Sequence, residues 1–274
     1  MLQSLERQSG LPIALDPTTN TIRWTEGIHA GETKERTFQE MQSFIAEPGA
    51  TSPREGIYMM YRDVGRDPDR IDIKSVGLRY DITVIAPGTF QGSRHEYFRT
   101  AGHYHSLVPG TNVAYPEVYE VIAGRVCWIL QRRTHDDPEH IEEMYAIEAG
   151  PGEKAIMLPG FGHISVNPFP ETLVMADWNA CACVSDYAPY QKHRGGGYLV
   201  FEGSKLNTIE FTANHSYGAL PELKKIAPCE VPEFGFFRSQ PLYSLAHDLA
   251  KLDFLLKPEK YSDSLTAEHC YRAR

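Results

Sequence analysis

Between Gly56 and about Phe211 the chain alternates short apolar, β-branched and aromatic runs with Gly, Pro and Asp breaks, at 57–61, 80–85, 96–100, 117–122, 126–131, 144–147, 155–158, 173–178 and 198–201. Short strands at regular spacing with turn residues between them predict an all-β sandwich or barrel. Ala123-Gly124 falls between two of these runs and predicts a hairpin, while Pro151-Gly152 precedes the run at 155–158. The flanks read differently. Residues 1 to about 55 carry turn residues and one amphipathic stretch, 37–45, ahead of the breakers Pro48-Gly49 and Ser52-Pro53, which predicts an N-terminal arm with a short helix. Beyond Phe211, Leu242, Leu245, Leu249, Leu252 and Leu256 fall at helical spacing until Pro258 stops the run, predicting a partly helical C-terminal extension over 212–274.

Candidate chemistry concentrates in the β-rich middle. His103 and His105 flank Tyr104, and side chains at i and i+2 of a strand share a face, so the two imidazoles converge without bending the backbone. Glu117 opens the next apolar run, and His163 ends the segment Leu158-Pro159-Gly160-Phe161-Gly162-His163. Three imidazoles and a carboxylate suit one borderline first-row ion better than magnesium or calcium, which prefer oxygen. Zinc, iron(II), manganese and nickel all satisfy that donor set. The remaining histidines, His135 among them, are scattered and read as ordinary surface or hydrogen-bonded residues.

Composition narrows the class. A length of 274 residues with 42% hydrophobic content can bury a sizeable core, and a formal charge of −9 supplies no basic field for phosphate backbones, which argues against nucleic acid. No run approaches the roughly 18 apolar residues of a membrane span, and the start lacks a signal-peptide core, so the expectation is an unexported, cytoplasmic protein with no membrane partner. Five cysteines are too few and too irregular for a disulfide framework. Arg99 and the Arg194-Gly195-Gly196-Gly197 run receive no site role, because alternation turns Arg99 from Thr100 and the glycines lack a phosphate-loop lysine.

His103-x-His105, Glu117-x6-Gly124 and Pro159-x3-His163-x3-Asn167 together resemble the two motifs of a cupin. The stretch Thr83-Val84-Ile85-Ala86-Pro87-Gly88, then Thr100-Ala101-Gly102-His103-Tyr104-His105, Glu117-Val118-Tyr119 and Asp186-Tyr187, resembles more closely the cupin-type glucose-6-phosphate isomerases of archaea and some bacteria. The resemblance implies a double-stranded β-helix (jelly-roll) barrel over 56–211. It implies one divalent transition-metal ion per chain, iron(II) foremost with zinc, manganese or nickel open, held by His103, His105, Glu117 and His163. Thr83, Thr100 and the Gly102 backbone match positions that grip phosphate, and Tyr58, Tyr119 and Tyr187 match positions lining the sugar pocket. A small-molecule sugar phosphate and a homodimer are the implied partners. Two departures stand out: the loop 106–116 is longer than in the archaeal enzymes, and Asn179 replaces a tyrosine.

Moving a proton between adjacent sugar carbons builds charge on the neighbouring oxygen, and a free carboxylate of pKa about 4.3 is a weak base against a carbon acid unless the carbonyl is polarised. The resemblance implies metal-dependent interconversion of glucose 6-phosphate and fructose 6-phosphate, with Glu117 both ligand and proton shuttle through a cis-enediol. A hydride shift is the competing mechanism. Two other functions use the same residues: an iron-dependent cupin oxygenase, and a sugar-phosphate binder without catalysis.

Overall fold

The computed structural model describes residues 1–134, 136–205 and 208–274, so His135 lies outside the described residues. The chain is mostly β, organised by two large sheets. The first has six antiparallel strands in the order Lys154–Met157, Glu117–Ala123, Leu173–Ala180, Leu78–Ile85, Gly56–Tyr61 and Thr33–Thr37. The second has five, in the order Phe161–Val166, Val126–Arg133, Ile141–Ala149, Leu223–Pro228 and Tyr271–Ala273, parallel only where Ile141–Ala149 meets Leu223–Pro228. Both flanking segments thus contribute strands.

All eight residues of Leu173–Ala180 are buried, as are all seven of Glu117–Ala123. A half-covered sheet would alternate; continuous burial means both faces are covered. The cover on the far side from the site comes from the C-terminal segment. Trp178 Nε1 donates to the Leu242 carbonyl at 3.0 Å, and its ring stacks on Tyr243 with centroids 6.3 Å apart. Beneath them lies a buried ion pair. Lys154 Nζ sits 2.7 Å from Glu120 Oε1, while Glu120 Oε2 accepts from the Leu242 amide at 2.7 Å.

Three sequence expectations need correction. The Ala123-Gly124 turn does not make a hairpin, because Glu117–Ala123 pairs in the six-stranded sheet and Val126–Arg133 in the five-stranded one. It carries the chain from one sheet to the other. Gly124 has φ of 73°, and a Cβ there would stand 2.6 Å from the Thr172 carbonyl oxygen, so neither backbone nor space tolerates a side chain. The leucine stripe forms two 3-10 stretches, Leu242–His247 and Leu249–Leu255, separated by Asp248 at φ −146° and ψ 61°, rather than one α-helix. Leu242, Leu245 and Leu252 are buried, and Leu249 and Leu256 are partly buried against the core. In 37–45 only Phe38–Met41 is α-helical, opened by a capping box in which Thr37 and Glu40 exchange side-chain to backbone hydrogen bonds. Among the described residues no helix is long and apolar enough to cross a membrane.

Candidate metal centre

His103 and His163 lie directly opposite one another in an isolated antiparallel bridge, with His103 N donating to His163 O at 3.3 Å and His163 N to His103 O at 3.1 Å. Tyr104–His105 then pairs with Ser185–Asp186. Tyr104 turns to the opposite side, where its hydroxyl accepts from Gln131 Nε2 at 2.9 Å, leaving His103 and His105 on one face as their spacing requires. Glu117 opens its strand in the six-stranded sheet and His163 lies mid-strand in the five-stranded sheet, opposite Leu130. The two sheets each supply a donor.

One ligand atom from each of His103, His105, Glu117 and His163 lies within 4.8 Å of the other three. His103 Nε2 is 3.1 Å from His105 Nε2; Glu117 Oε2 is 3.2 Å from His163 Nε2 and 3.5 Å from His105 Nε2. His105 Nδ1 lies 2.8 Å from the Tyr115 carbonyl, which fixes the proton there and leaves the Nε2 lone pair facing the cluster. The long loop 106–116 therefore orients the His105 ring. Burial pushes His103 well below the ordinary imidazole range, reinforced by the neighbouring His163 and His105, and burial also lowers His105. Burial pushes Glu117 upward, yet the adjacent imidazoles of His163 and His105 outweigh it and hold the carboxylate well below its usual range.

The donor set fits a cation on an observation of its own. Glu117 Oε2 and both ring nitrogens of His163 are buried with no hydrogen-bond partner. Each such orphan costs about 1–3 kcal/mol, and neutral imidazoles with an ionised carboxylate are the states that bind metal.

The six other residues expected at the site, Tyr58, Thr83, Thr100, Gly102, Tyr119 and Tyr187, line one pocket together with His103, His105 and Glu117. Thr100 Oγ1 accepts from the Ser165 amide at 3.0 Å, and the Tyr58 hydroxyl accepts from the Ala101 amide at 3.4 Å. Gly102 has φ of 82°, and a Cβ would meet Ile164 Cγ1 at 2.6 Å and Tyr190 Cδ1 at 2.7 Å. Only glycine fits beside His103. The Tyr119 and His163 rings lie 5.7 Å apart, and Tyr187 stands 5.3 Å from His103. Arg99 points elsewhere, bonding Glu96 at 2.7 Å and the Phe44 carbonyl at 2.7 Å.

Sequence reasoning named Asn179 but missed the charged row beside it in the same pocket. Arg62, Arg79, Asp177 and Asn179 line it, and buried Asp81 sits behind them. Asn179 Nδ2 lies 2.7 Å from Asp177 Oδ2 and 3.3 Å from Glu117 Oε1. Burial, then the charges of Glu117 and Asp81, push Asp177 well above the usual carboxylate range. The signal was present as Arg79-x-Asp81-x-Thr83 and Asp177-x-Asn179, polar residues at alternate positions of otherwise apolar strands.

A family model described as Glucose-6-phosphate isomerase (GPI) matches residues 33–214, more than half of the chain. The chain belongs to this family. No curated protein matches the sequence. Solved structures similar to this family member include an oxalate oxidase (16% identity, 42% of this chain and 48% of that chain, TM-score 0.31). They also include the oxalate decarboxylase of Bacillus subtilis at pH 4.6 (16% identity, 47% of this chain and 28% of that one, TM-score 0.31). Peruvianin-I, a cysteine peptidase from Thevetia peruviana latex, matches at 17% identity over 53% of this chain and 77% of its own, with TM-score 0.34. The chain spans less than half the length of the first two.

Proposed function

We propose that this GPI-family chain is a metal-dependent aldose-ketose isomerase interconverting glucose 6-phosphate and fructose 6-phosphate. The observation that carries the reading is the convergence of four donors, two of them with unpartnered buried atoms, beside a pocket whose other walls hold hydroxyls suited to a sugar phosphate. His103, His105, Glu117 and His163 would hold one divalent transition ion, iron(II) foremost. When bound, it would supply Lewis acidity that polarises the substrate carbonyl and offsets the charge developing there.

The chain's own residues supply the rest. Thr83, Thr100 and the Gly102 amide donate to the phosphate, and Tyr58, Tyr119 and Tyr187 fit the sugar. Glu117 Oε2 faces the histidines, leaving Oε1, beside Asn179, to take a proton from C2 of the aldose and return it to C1. The hydroxyl proton at O2 leaves and O1 gains one, so the cis-enediol collapses to the ketose with atoms balanced. Burial of Glu117 excludes water from that exchange. The reading includes a jelly-roll barrel over 56–211 wrapped by 1–55 and 212–274, and a cytoplasmic homodimer.

The test is to load the apoprotein separately with iron(II), manganese, zinc or nickel and follow fructose 6-phosphate conversion through a coupled dehydrogenase. Turnover with at least one metal, none after chelation, and solvent deuterium entering C1 or C2 are expected. Equal use of unphosphorylated glucose contradicts phosphate recognition; oxygen uptake without isomer formation, or tight sugar-phosphate binding without turnover in any metal, contradicts the isomerase.

A further inference from the structure

Two arginines in the pocket have no part in that scheme. Arg62 directly follows the strand Gly56–Tyr61 and Arg79 lies in Leu78–Ile85, with side chains 29% and 28% exposed. Both line the pocket, and both rest on one carboxylate oxygen: Arg62 Nη1 lies 2.5 Å and Arg79 Nε 2.8 Å from Asp81 Oδ2. Asp81 Oδ1 is already occupied by the Asp63 amide at 2.9 Å. Asp81 therefore contacts two guanidiniums, with the Asp177 carboxylate also in the pocket. Arg79 uses only Nε in this contact, and its two Nη groups have no partner among the described residues. An idle guanidinium fork in a confined pocket matches the geometry of a carboxylate or phosphate.

Sheet register places this fork at the metal end. Arg79 is paired with Asn179, whose amide reaches Glu117 Oε1, while Asp81 is paired with Asp177 and that residue with Tyr119. Thr83 pairs with Met175, four residues along the same strand from Arg79. At roughly 3.3 Å per residue that is about 13 Å of strand. The hydroxyl-lined phosphate position and the guanidiniums thus occupy different ends of one pocket.

The geometry points to a second oxyanion subsite, built from Arg62 and Arg79, that takes an anionic group at the end of a sugar phosphate remote from its phosphate. The inference rests on the proposed sugar-phosphate site and specifies its ligand class: a phosphorylated sugar acid or a sugar bisphosphate. A neutral aldose phosphate has no charge to give Arg79. The subsite discriminates between ligands that share the first phosphate.

Binding calorimetry on the full, metal-loaded chain tests this with glucose 6-phosphate, 6-phosphogluconate, glucose 1,6-bisphosphate and inorganic phosphate. At least one two-ended ligand should bind about 10-fold or more tighter than glucose 6-phosphate, the scale of a charge-assisted hydrogen bond. The two such ligands distinguish a carboxylate from a phosphate preference. Arg79→Gln should remove most of that advantage and weaken glucose 6-phosphate by clearly less, while Arg79→Lys, keeping charge but not the fork, should fall between. A parent protein with no preference overturns the inference, as does a preference that survives intact in Arg79→Gln, which would assign the anion to the metal. Melting curves for each variant identify any folding loss. Isomerase assays on the same samples separate the two readings: preference without turnover sinks the isomerase and leaves the subsite, and turnover without preference does the reverse.

Discussion

Replacing Glu117 by Gln preserves side-chain volume and removes one negative charge from a residue only 4% exposed. In the metal-free chain Glu117 Oε2 stands 3.2 Å from His163 Nε2 and both atoms lack a hydrogen-bond partner. An amide at that position keeps the volume but loses the charge that the imidazoles stabilise, and a carboxylate held well below its usual range contributes stability to the folded chain near neutral pH. The metal-free variant should therefore be less stable than its parent at pH 7 by about 1.5–3 kcal/mol, the worth of a charge-assisted contact, a fall of several degrees in Tm at roughly 2–4 °C per kcal/mol. Metal binding should weaken as well, since an anionic donor becomes neutral; a loss of about 10- to 100-fold or more in affinity is expected. Turnover should fall by about 10²–10⁴, the usual contribution of a positioned base. Scanning calorimetry with and without chelator, metal competition titration and the coupled assay read the three effects separately. A variant that binds metal as tightly and turns over as fast as the parent would falsify the role given to Glu117.

Chelation should lower the Tm of the loaded protein by roughly 5–10 °C, because a ligand at 100 times its Kd contributes about 2.7 kcal/mol to the folded state; an unchanged Tm on adding EDTA speaks against a bound ion. Lys154→Met leaves the buried Glu120 without its ion partner and should cost about 3–5 kcal/mol, whereas the double change Lys154→Met with Glu120→Leu should recover much of it, as urea midpoints will show. Burial raises the Glu120 carboxyl to about 7 despite Lys154. A group raised in the folded state contributes stability that is full below its unfolded value of about 4.5 and is lost as pH rises through 7, on the order of 3 kcal/mol. Glu120→Gln should therefore gain on its parent as pH goes from 4.5 to 7, and a constant difference across that window contradicts the assignment. Gly124→Ala, with φ of 73° and a Cβ 2.6 Å from a carbonyl oxygen, should cost about 1–3 kcal/mol or more; a silent substitution means the turn between sheets is not as described.

The strands were legible where a single face sets the pattern, and His103 and His105 were legible because a spacing of two fixes their common side. The strand carrying His163 was hidden, since Gly160 and Gly162 break its apolar pattern. Gly162 is there because Tyr104 and Tyr190 approach its backbone, a Cβ meeting Tyr190 Oη at 2.5 Å, and such long-range crowding leaves no local trace. Sheet membership was hidden for a similar reason: Gly124 looks alike whether it closes a hairpin or crosses between sheets. The doubly covered strand Leu173–Ala180 reads as a continuous apolar run, which masks Asp177 and Asn179 as inward positions. The leucine stripe of the C-terminal segment announced burial correctly but not helix type, because Asp248 interrupts it through a backbone conformation that composition does not encode.

The proposed function requires that His103, His105, Glu117 and His163 share one cation. Metal analysis with X-ray absorption spectroscopy on purified protein reads this out. One transition ion per chain is expected, its nearest shell made of imidazole nitrogens and carboxylate oxygen, and lost in His163→Ala. An ion retained unchanged in that variant, or a sulfur shell from the cysteines, would contradict it.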